Sequence, residues 1–509
     1  MKKIIKYAVF IPVLCLISCS DFLEPKSQSE YVPRDVAALD ELLLGGAYIS
    51  PVDVSYGNLF SVLGLFDDDV ATRPDLPAFK PEGETNYKQV RMAFTWSRDM
   101  IDYLQNYNVY GNVYNKIVVC NAVLDYAGEV AGEEENRNYL VAQAYALRAY
   151  YYFYLVNLYG KPYAYDPQAL GVPLKLDANL STDHMPRNTV GEVHERVLAD
   201  LLEAERLMKT LPEADRIRKN KRVNLPFIEL LLSRVYLYME KWPEAMAYGE
   251  RVFTNYDYGL QDLNSIAPPD GTSDSYPDYL TWTNPENIFL MGDRNDVLSL
   301  VTRSVNLVSN NVPTNLCVAS PELINCYQDH DLRKDRYLLY EAVAPDGTPH
   351  YRVPVSKINL NNNYRIDLGW GQAWGIAFRL PEAYLNAAEA AAMLYKAGEG
   401  DEYRTKALDW MKTLRAKRYL NGTNYDYQTS SADDLVNFVR DERRRELCFE
   451  NHRWFDLRRY GMEELIHVWY DTDHNGVLVR LQKNDPGFTL MLPKAAMEKN
   501  AALVQNESR

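Results

Sequence analysis

Cysteine is scarce, with six residues in 509, and two of these, Cys15 and Cys19, belong to the N-terminal segment. The others, Cys120, Cys317, Cys326 and Cys448, form no C-x-x-C pair and no metal-ligand spacing, which excludes a disulfide-stapled mini-fold. Cys317 and Cys326 are close enough in sequence for a bridge, but free buried thiols are the expectation. Basic residues are also in deficit. Lysine and arginine number 55 against 70 acids, a net charge of −15, and an acidic chain is a poor partner for nucleic acid, whose phosphates need a basic surface. The seven histidines (His184, His194, His330, His350, His452, His467 and His474) show no H-E-x-x-H spacing. No G-x-S-x-G elbow, phosphate-binding loop or dinucleotide fingerprint occurs, so no motif asks for a metal or cofactor. Beyond the N-terminus no run approaches the roughly 18 apolar residues of a membrane span. No Gly/Ser- or Pro-rich linker divides the chain, and one large globule is expected.

The N-terminus itself is patterned. Lys2, Lys3 and Lys6 precede a short apolar stretch, Tyr7 to Ile17, that ends in Leu16-Ile17-Ser18-Cys19. A positive start, a short apolar core and a small residue before cysteine read as a lipoprotein signal peptide covering residues 1–18. The chemistry needs a thiol at the first mature position because its sulfur carries the diacylglycerol. Cys19 is therefore the expected lipidation site, with several acyl chains giving a stable anchor. Cleavage removes three lysines and no acid, leaving the rest more acidic still.

Helical periodicity dominates the remainder of the chain. Leu140, Ala144, Leu147, Tyr151, Tyr154, Leu155 and Leu158 make an apolar stripe, stopped by Gly160-Lys161-Pro162. Ala142, Ala146 and Ala149 leave room for a neighbouring helix. Residues 109–130 pair with this helix as one hairpin. Residues 225–256 form another, with the turn at Glu240-Lys241-Trp242 and Pro243 at a helix start, and resemble a tetratricopeptide unit. Further hairpins are expected from Arg379 to about Tyr419 and around 190–211. The predicted fold is mainly α: an irregular array of tetratricopeptide-like helical hairpins with loop-rich insertions and a few short β-hairpins. The scaffold spans about 35–256 and 378–460. The insertions span about 257–377, with one strand candidate at Ile288–Met291, and a C-terminal hairpin and tail span 461–509.

Asp471 to Gly476 matches the first half of a calcium loop, but the twelfth position, Gln482, cannot supply the bidentate carboxylate. Asn475-Gly476 reads better as a hairpin turn. Asp67-Asp68-Asp69 suits a metal site or catalytic acids, or equally a helix start or solvated loop. Aromatics are the positive chemical signal: 39 tyrosines and 8 tryptophans against 15 phenylalanines. An aromatic face can stack on a sugar while neighbouring polar groups meet its hydroxyls. Those in irregular stretches are the candidates for binding: Trp96, Tyr276, Tyr279, Trp282, Trp370 and Trp374, with Arg73 as a polar partner.

The most distinctive run is Arg440-Asp-Glu-Arg-Arg-Arg-Glu-Leu-Cys-Phe-Glu-Asn-His-Arg-Trp-Phe-Asp-Leu-Arg-Arg-Tyr-Gly461. Leu435, Phe438 and Val439 give its helix an apolar face, and Asp441 and Glu442 are spaced to pair with Arg445 along an exposed side. This string resembles the signature of the SusD/RagB family of glycan-capture lipoproteins. So do Leu147–Gly160, Leu380–Ala390, the Cys19-Ser-Asp-Phe-Leu start and Leu490–Asn500, although the chain ends in Gln505-Asn-Glu-Ser-Arg509 where the family often closes with Asn-Pro-Gly-Tyr.

The resemblance implies a non-enzymatic lipoprotein on the outer face of the outer membrane. It would bind an oligosaccharide, or a peptide as RagB-type relatives do, and lie as a lid over a SusC-like TonB-dependent transporter. Its ligand site would gather residues from the N-terminal segment and the inserted loops, without fixing them one by one. A surface glycosidase would instead need two acids about 5–10 Å apart in a groove, and a purely structural adaptor would lack an aromatic pocket.

Overall fold

The structure is a computed structural model. It describes residues 33–49, 60–74, 85–104, 109–179, 183–219, 221–267, 279–292, 295–298, 300–301, 304–306, 313–340, 352–353, 357, 374–471 and 475–509. Helical hairpins stack in sequence, as the periodicity predicts. The helix Glu134–Tyr159 packs against Val109–Tyr126 on one side and Val190–Met208 on the other. Leu225–Tyr238 pairs with Trp242–Asn255, and Leu380–Lys396 packs against Trp242–Asn255, Asp401–Arg415 and Ala432–Leu447. No described helix is long and apolar enough to cross a membrane.

Local chemistry sets the helix starts. Asp35 caps the helix Val36–Gly46 through the amide of Ala38. Thr189 and Glu192 form a reciprocal capping box, and Asn224 and Ser431 cap the helices that begin just after them. Such caps contribute about 1 kcal/mol each. Pro226, Pro243 and Pro381 occupy first turns, where the missing N–H is not needed. Between the helices Trp242–Asn255 and Leu380–Lys396 the contact is closest at Gly249, where a Cβ would lie 2.9 Å from the carbonyl oxygen of Ala383.

One expectation changes at the central helix. From Ala146 to Gly160 every residue is buried, so the helix has no solvent face opposite its apolar stripe. Neighbours on all sides bury it, and several of its polar groups find partners inside, although the Tyr154 hydroxyl has none among the described residues. Tyr152 Oη donates to the carbonyl of Lys175 at 2.6 Å, and Tyr151 Oη donates to that of Ala47. Arg148 holds Asp200 by two bonds of 2.7 and 2.8 Å and donates to Asn121 at 2.9 Å.

The described strands form antiparallel pairs. Asn287–Met291, which contains the predicted strand, joins Ile376–Arg379 and so brings the two ends of the long insertion side by side. The C-terminal hairpin is present as Leu465–Tyr470 with Gly476–Leu481, but Gly476 already pairs with Tyr470. The turn is therefore longer than Asn475-Gly476 alone, and the Asp471 carboxylate accepts from the Asn475 amide across it. The chain end docks through Asn506, whose side chain donates to the carbonyls of Tyr159 and Leu490 and accepts from Arg187. Cys120, Cys317, Cys326 and Cys448 are free thiols.

Candidate functional site

The paired strands Asn287–Met291 and Ile376–Arg379 form a rigid base for the loop-rich insertion. Just before each strand stands a tryptophan. Trp282 and Trp374 meet edge to face, with centroids 5.8 Å apart at 84°. Trp374 is buried and Trp282 half-buried. The Trp282 Nε1–H has no hydrogen-bond partner among the described residues, which is costly for a buried donor. The Lys221 ammonium lies 5.6 Å from the centre of the Trp374 ring, and partial burial lowers its pKa. Lys221 belongs to a short basic stretch that no sequence motif singles out. The half-buried Trp282 face beside an adjacent cation can receive a sugar's apolar face and its hydroxyl oxygens.

The other sequence candidates lie elsewhere. Tyr279 is buried edge-on against Tyr337 at 5.2 Å, below the tryptophan pair in sequence and inside the fold. Trp96 is 2% exposed, in the core and not on the surface. Its indole donates to the carbonyl of Phe66 at 3.0 Å and stacks at 4.0 Å on His467, whose ring also stacks on Phe94. Arg73, directly after the strand Val70–Thr72, is buried too. Tyr276, Trp370 and Cys19 lie outside the described residues. The structure thus brings Trp282 and Trp374 together and sets Trp96 apart with His467.

The insertion's base is held by the helix Ala432–Leu447, and here the expectation of a solvated, salt-bridged face is overturned. Glu442 and Arg445 do pair, at 2.7 Å, but both are buried, as are Arg443 and Glu446. Their partners arrive from distant segments. Glu442 binds Arg333 at 2.6 Å and Arg415 at 2.7 Å; Glu446 binds Arg418 at 2.9 Å, Arg333 at 3.2 Å and Arg379 at 3.2 Å. Glu286, one residue before the first strand of the base, joins through Arg418 at 2.6 Å and Arg379 at 3.0 Å. Burial alone pushes the carboxyl of Glu446 up, but Arg418, Arg379 and Arg333 outweigh it and hold the group ionised far below the carboxylate range. Charges at helical spacing read as a surface because their partners are invisible in the local sequence.

Lys357, inside the insertion, is anchored to the same place. Its ammonium donates to the carbonyls of Glu446 and Cys448 at 2.6 and 3.0 Å and to Glu450 at 2.8 Å. Glu450 also takes Arg379 at 2.6 Å. Phe449 and Asn451 adopt left-handed φ of 59° and 63°, uncommon outside glycine, and this turn exposes those carbonyls to Lys357. No sequence signal marks this lysine.

Asp67 and Asp69 are buried and Asp68 is half-buried, and arginines hold Asp68 and Asp69. Arg453 grips Asp68 by two bonds of 2.6 and 2.8 Å, and Arg444 reaches Asp69 at 2.8 Å. Against the cost of burial, Arg453 and Arg444 pull Asp68 down to about 2. Asp67 has no such partner. Burial and the neighbouring acids raise it well above its usual value.

A stack of helical hairpins with an insertion on a two-stranded base defines the architectural class: a tetratricopeptide-like scaffold. The chain is similar to the SusD family. The family's own model matches residues 344–508, and a second, described as "starch-binding associating with outer membrane", matches 71–237. Among curated relatives, SusD-like protein P2 of Formosa agariphila is 26% identical over 496 residues, covering 90% of this chain and 91% of that protein. A SusD superfamily protein from Bacteroides thetaiotaomicron shares the fold with TM-score 0.67 at 20% identity, covering 92% and 98% of the two chains. A "laminarin binding SusD-like protein" shares it with TM-score 0.62 at 18% identity, covering 94% and 100%.

Proposed function

We propose that this chain is a lipoprotein, anchored through Cys19 to the outer face of the outer membrane, that captures an oligosaccharide and passes it to a SusC-like TonB-dependent transporter. The Trp282–Trp374 pair carries the reading: an aromatic corner with a nearby lysine, mounted on the two-stranded base of the insertion. Trp282 is the stacking face and Trp374 backs it; Tyr276 and Trp370 are the further candidates by residue type. Trp96, Tyr279 and Arg73 support the fold beneath. Family descriptions of starch and laminarin binding support a glycan. The reading is of a binding protein without catalysis. The arginine-held Asp68 and Asp69 are spent on structure, and the transporter supplies the energy.

Isothermal titration of the chain from Ser20 onward against laminarin, starch and host glycans tests this. Saturable binding to one glycan, weakened tenfold or more by Trp282→Ala with an unchanged melting temperature, is expected. Heat from a peptide digest and none from any glycan would overturn it in favour of peptide uptake.

A further inference from the structure

A second concavity lies away from the tryptophan pair, between the turn before Val70 and the C-terminal segment. It has a volume of about 430 Å³, within the roughly 300–1,000 Å³ of small-ligand pockets. Its walls are mostly apolar, with Phe66, Met100, Ile101, Leu104, Leu490 and Met491 among them. Four separate stretches of chain supply them, so the hollow is built by the fold and not by one bent loop. Two of the wall residues are methionines, whose flexible thioethers adapt to varied apolar shapes.

Polar groups stand at the rim. Arg98, Lys494 and Glu498 line the mouth and are exposed. Among the described residues none of the three has an ion pair or side-chain hydrogen bond, in a molecule where most buried arginines are locked to carboxylates. The rim therefore carries one net positive charge above an apolar interior. A bare sugar would leave its hydroxyls without partners against such walls, at a cost of about 1–3 kcal/mol for each unpaired polar group. A cationic amphiphile would be repelled by Arg98 and Lys494.

We infer that this pocket binds a small amphiphile with an apolar body and a single anionic head, the body among Phe66, Leu104 and Met491 and the head between Arg98 and Lys494. An acyl carboxylate and an aryl carboxylate share this chemistry. The site is independent of the glycan reading, because it shares no residue with the tryptophan pair.

The test is titration of the chain from Ser20 onward, which retains every described residue, with decanoate, decanol, decyltrimethylammonium and cinnamate. One-to-one saturable binding of decanoate or cinnamate is expected. The better carboxylate should bind at least tenfold tighter than decanol, equivalent to ~1.4 kcal/mol, and decyltrimethylammonium should not bind. The preference between the two carboxylates tells an acyl from an aryl source. Ala495→Trp, an exposed position on the pocket wall, should abolish binding with an unchanged melting temperature, and Met491→Trp serves as a second filling variant. Arg98→Glu with Lys494→Glu should remove the preference for the carboxylate. Absence of saturable binding, binding equal for all four probes, or binding indifferent to both filling variants would overturn the assignment.

Discussion

The helices Glu134–Tyr159 and Ala432–Leu447 both bury long stretches in the molecule, yet by different means. The first is enclosed by aliphatic and aromatic neighbours, its hydroxyls reaching backbone carbonyls. The second is enclosed by charge, with Glu442, Arg443 and Glu446 paired to side chains from distant segments and Arg445 paired to Glu442. An apolar helix is held by area and tolerates local loosening. A buried charge has no cheap alternative once its partner is removed, because desolvation has already been incurred. The charged helix is therefore the more exacting device, and it holds the base of the insertion.

Glu446→Ala leaves Arg418, Arg333 and Arg379 short of a carboxylate and should cost about 3–5 kcal/mol, read as a fall in the denaturation midpoint. Leu155→Ala on the apolar helix removes packing and should cost about 2–5 kcal/mol. The contrast sharpens with paired substitutions. Arg443→Met combined with Asp456→Leu should cost less than the sum of the two single changes, since each single change already breaks their shared pair, whereas two apolar truncations far apart should add.

Acid separates the regions further. Burial lowers the pKa of His194 to about 4; its ring lies against Phe153 of the apolar helix, and its Nε2 has no partner among the described residues. The unfolded chain therefore binds the extra proton first, and stability falls as pH drops from about 6.5 towards 4, by up to ~1.4 kcal/mol per pH unit. In the charged region burial raises the Glu389 carboxyl, but Arg459, Arg440 and Arg443 overcome it and hold it at about 2. Its contribution is present above about 4.5 and lost as pH falls from there towards 2. Urea midpoints measured from pH 7 to 2 should show His194→Phe flattening the upper window and Glu389→Gln the lower one. The smallest effect expected is Tyr152→Phe, about 1 kcal/mol for one hydrogen bond.

The apolar half was the more legible in sequence. Its periodicity, Pro243 and the Gly160 stop placed the hairpins, because helix geometry is written locally. What local sequence could not show was that the central helix is covered on every side, or that the Arg440–Glu446 charges face inward. Arg333, Arg379, Arg415 and Arg418 are remote in the chain, and only the fold brings them to Glu442 and Glu446. The same limit acted on the site. Trp282 and Trp374, candidates by residue type in irregular stretches, meet each other, but Trp96, chosen on the same ground, is covered by His467 from the C-terminal hairpin. Lys221 and Lys357 carried no local mark at all.

The central claim is that the buried charges, acting through Lys357, fix the insertion that carries the aromatic site. Amide hydrogen exchange on Lys357→Met against the unaltered chain tests it most directly. Faster exchange around residue 357 and through Ile376–Arg379, with Glu134–Tyr159 unchanged, is the predicted result. Unchanged exchange around 357 and 376–379, or an equal acceleration throughout both helices, would contradict it.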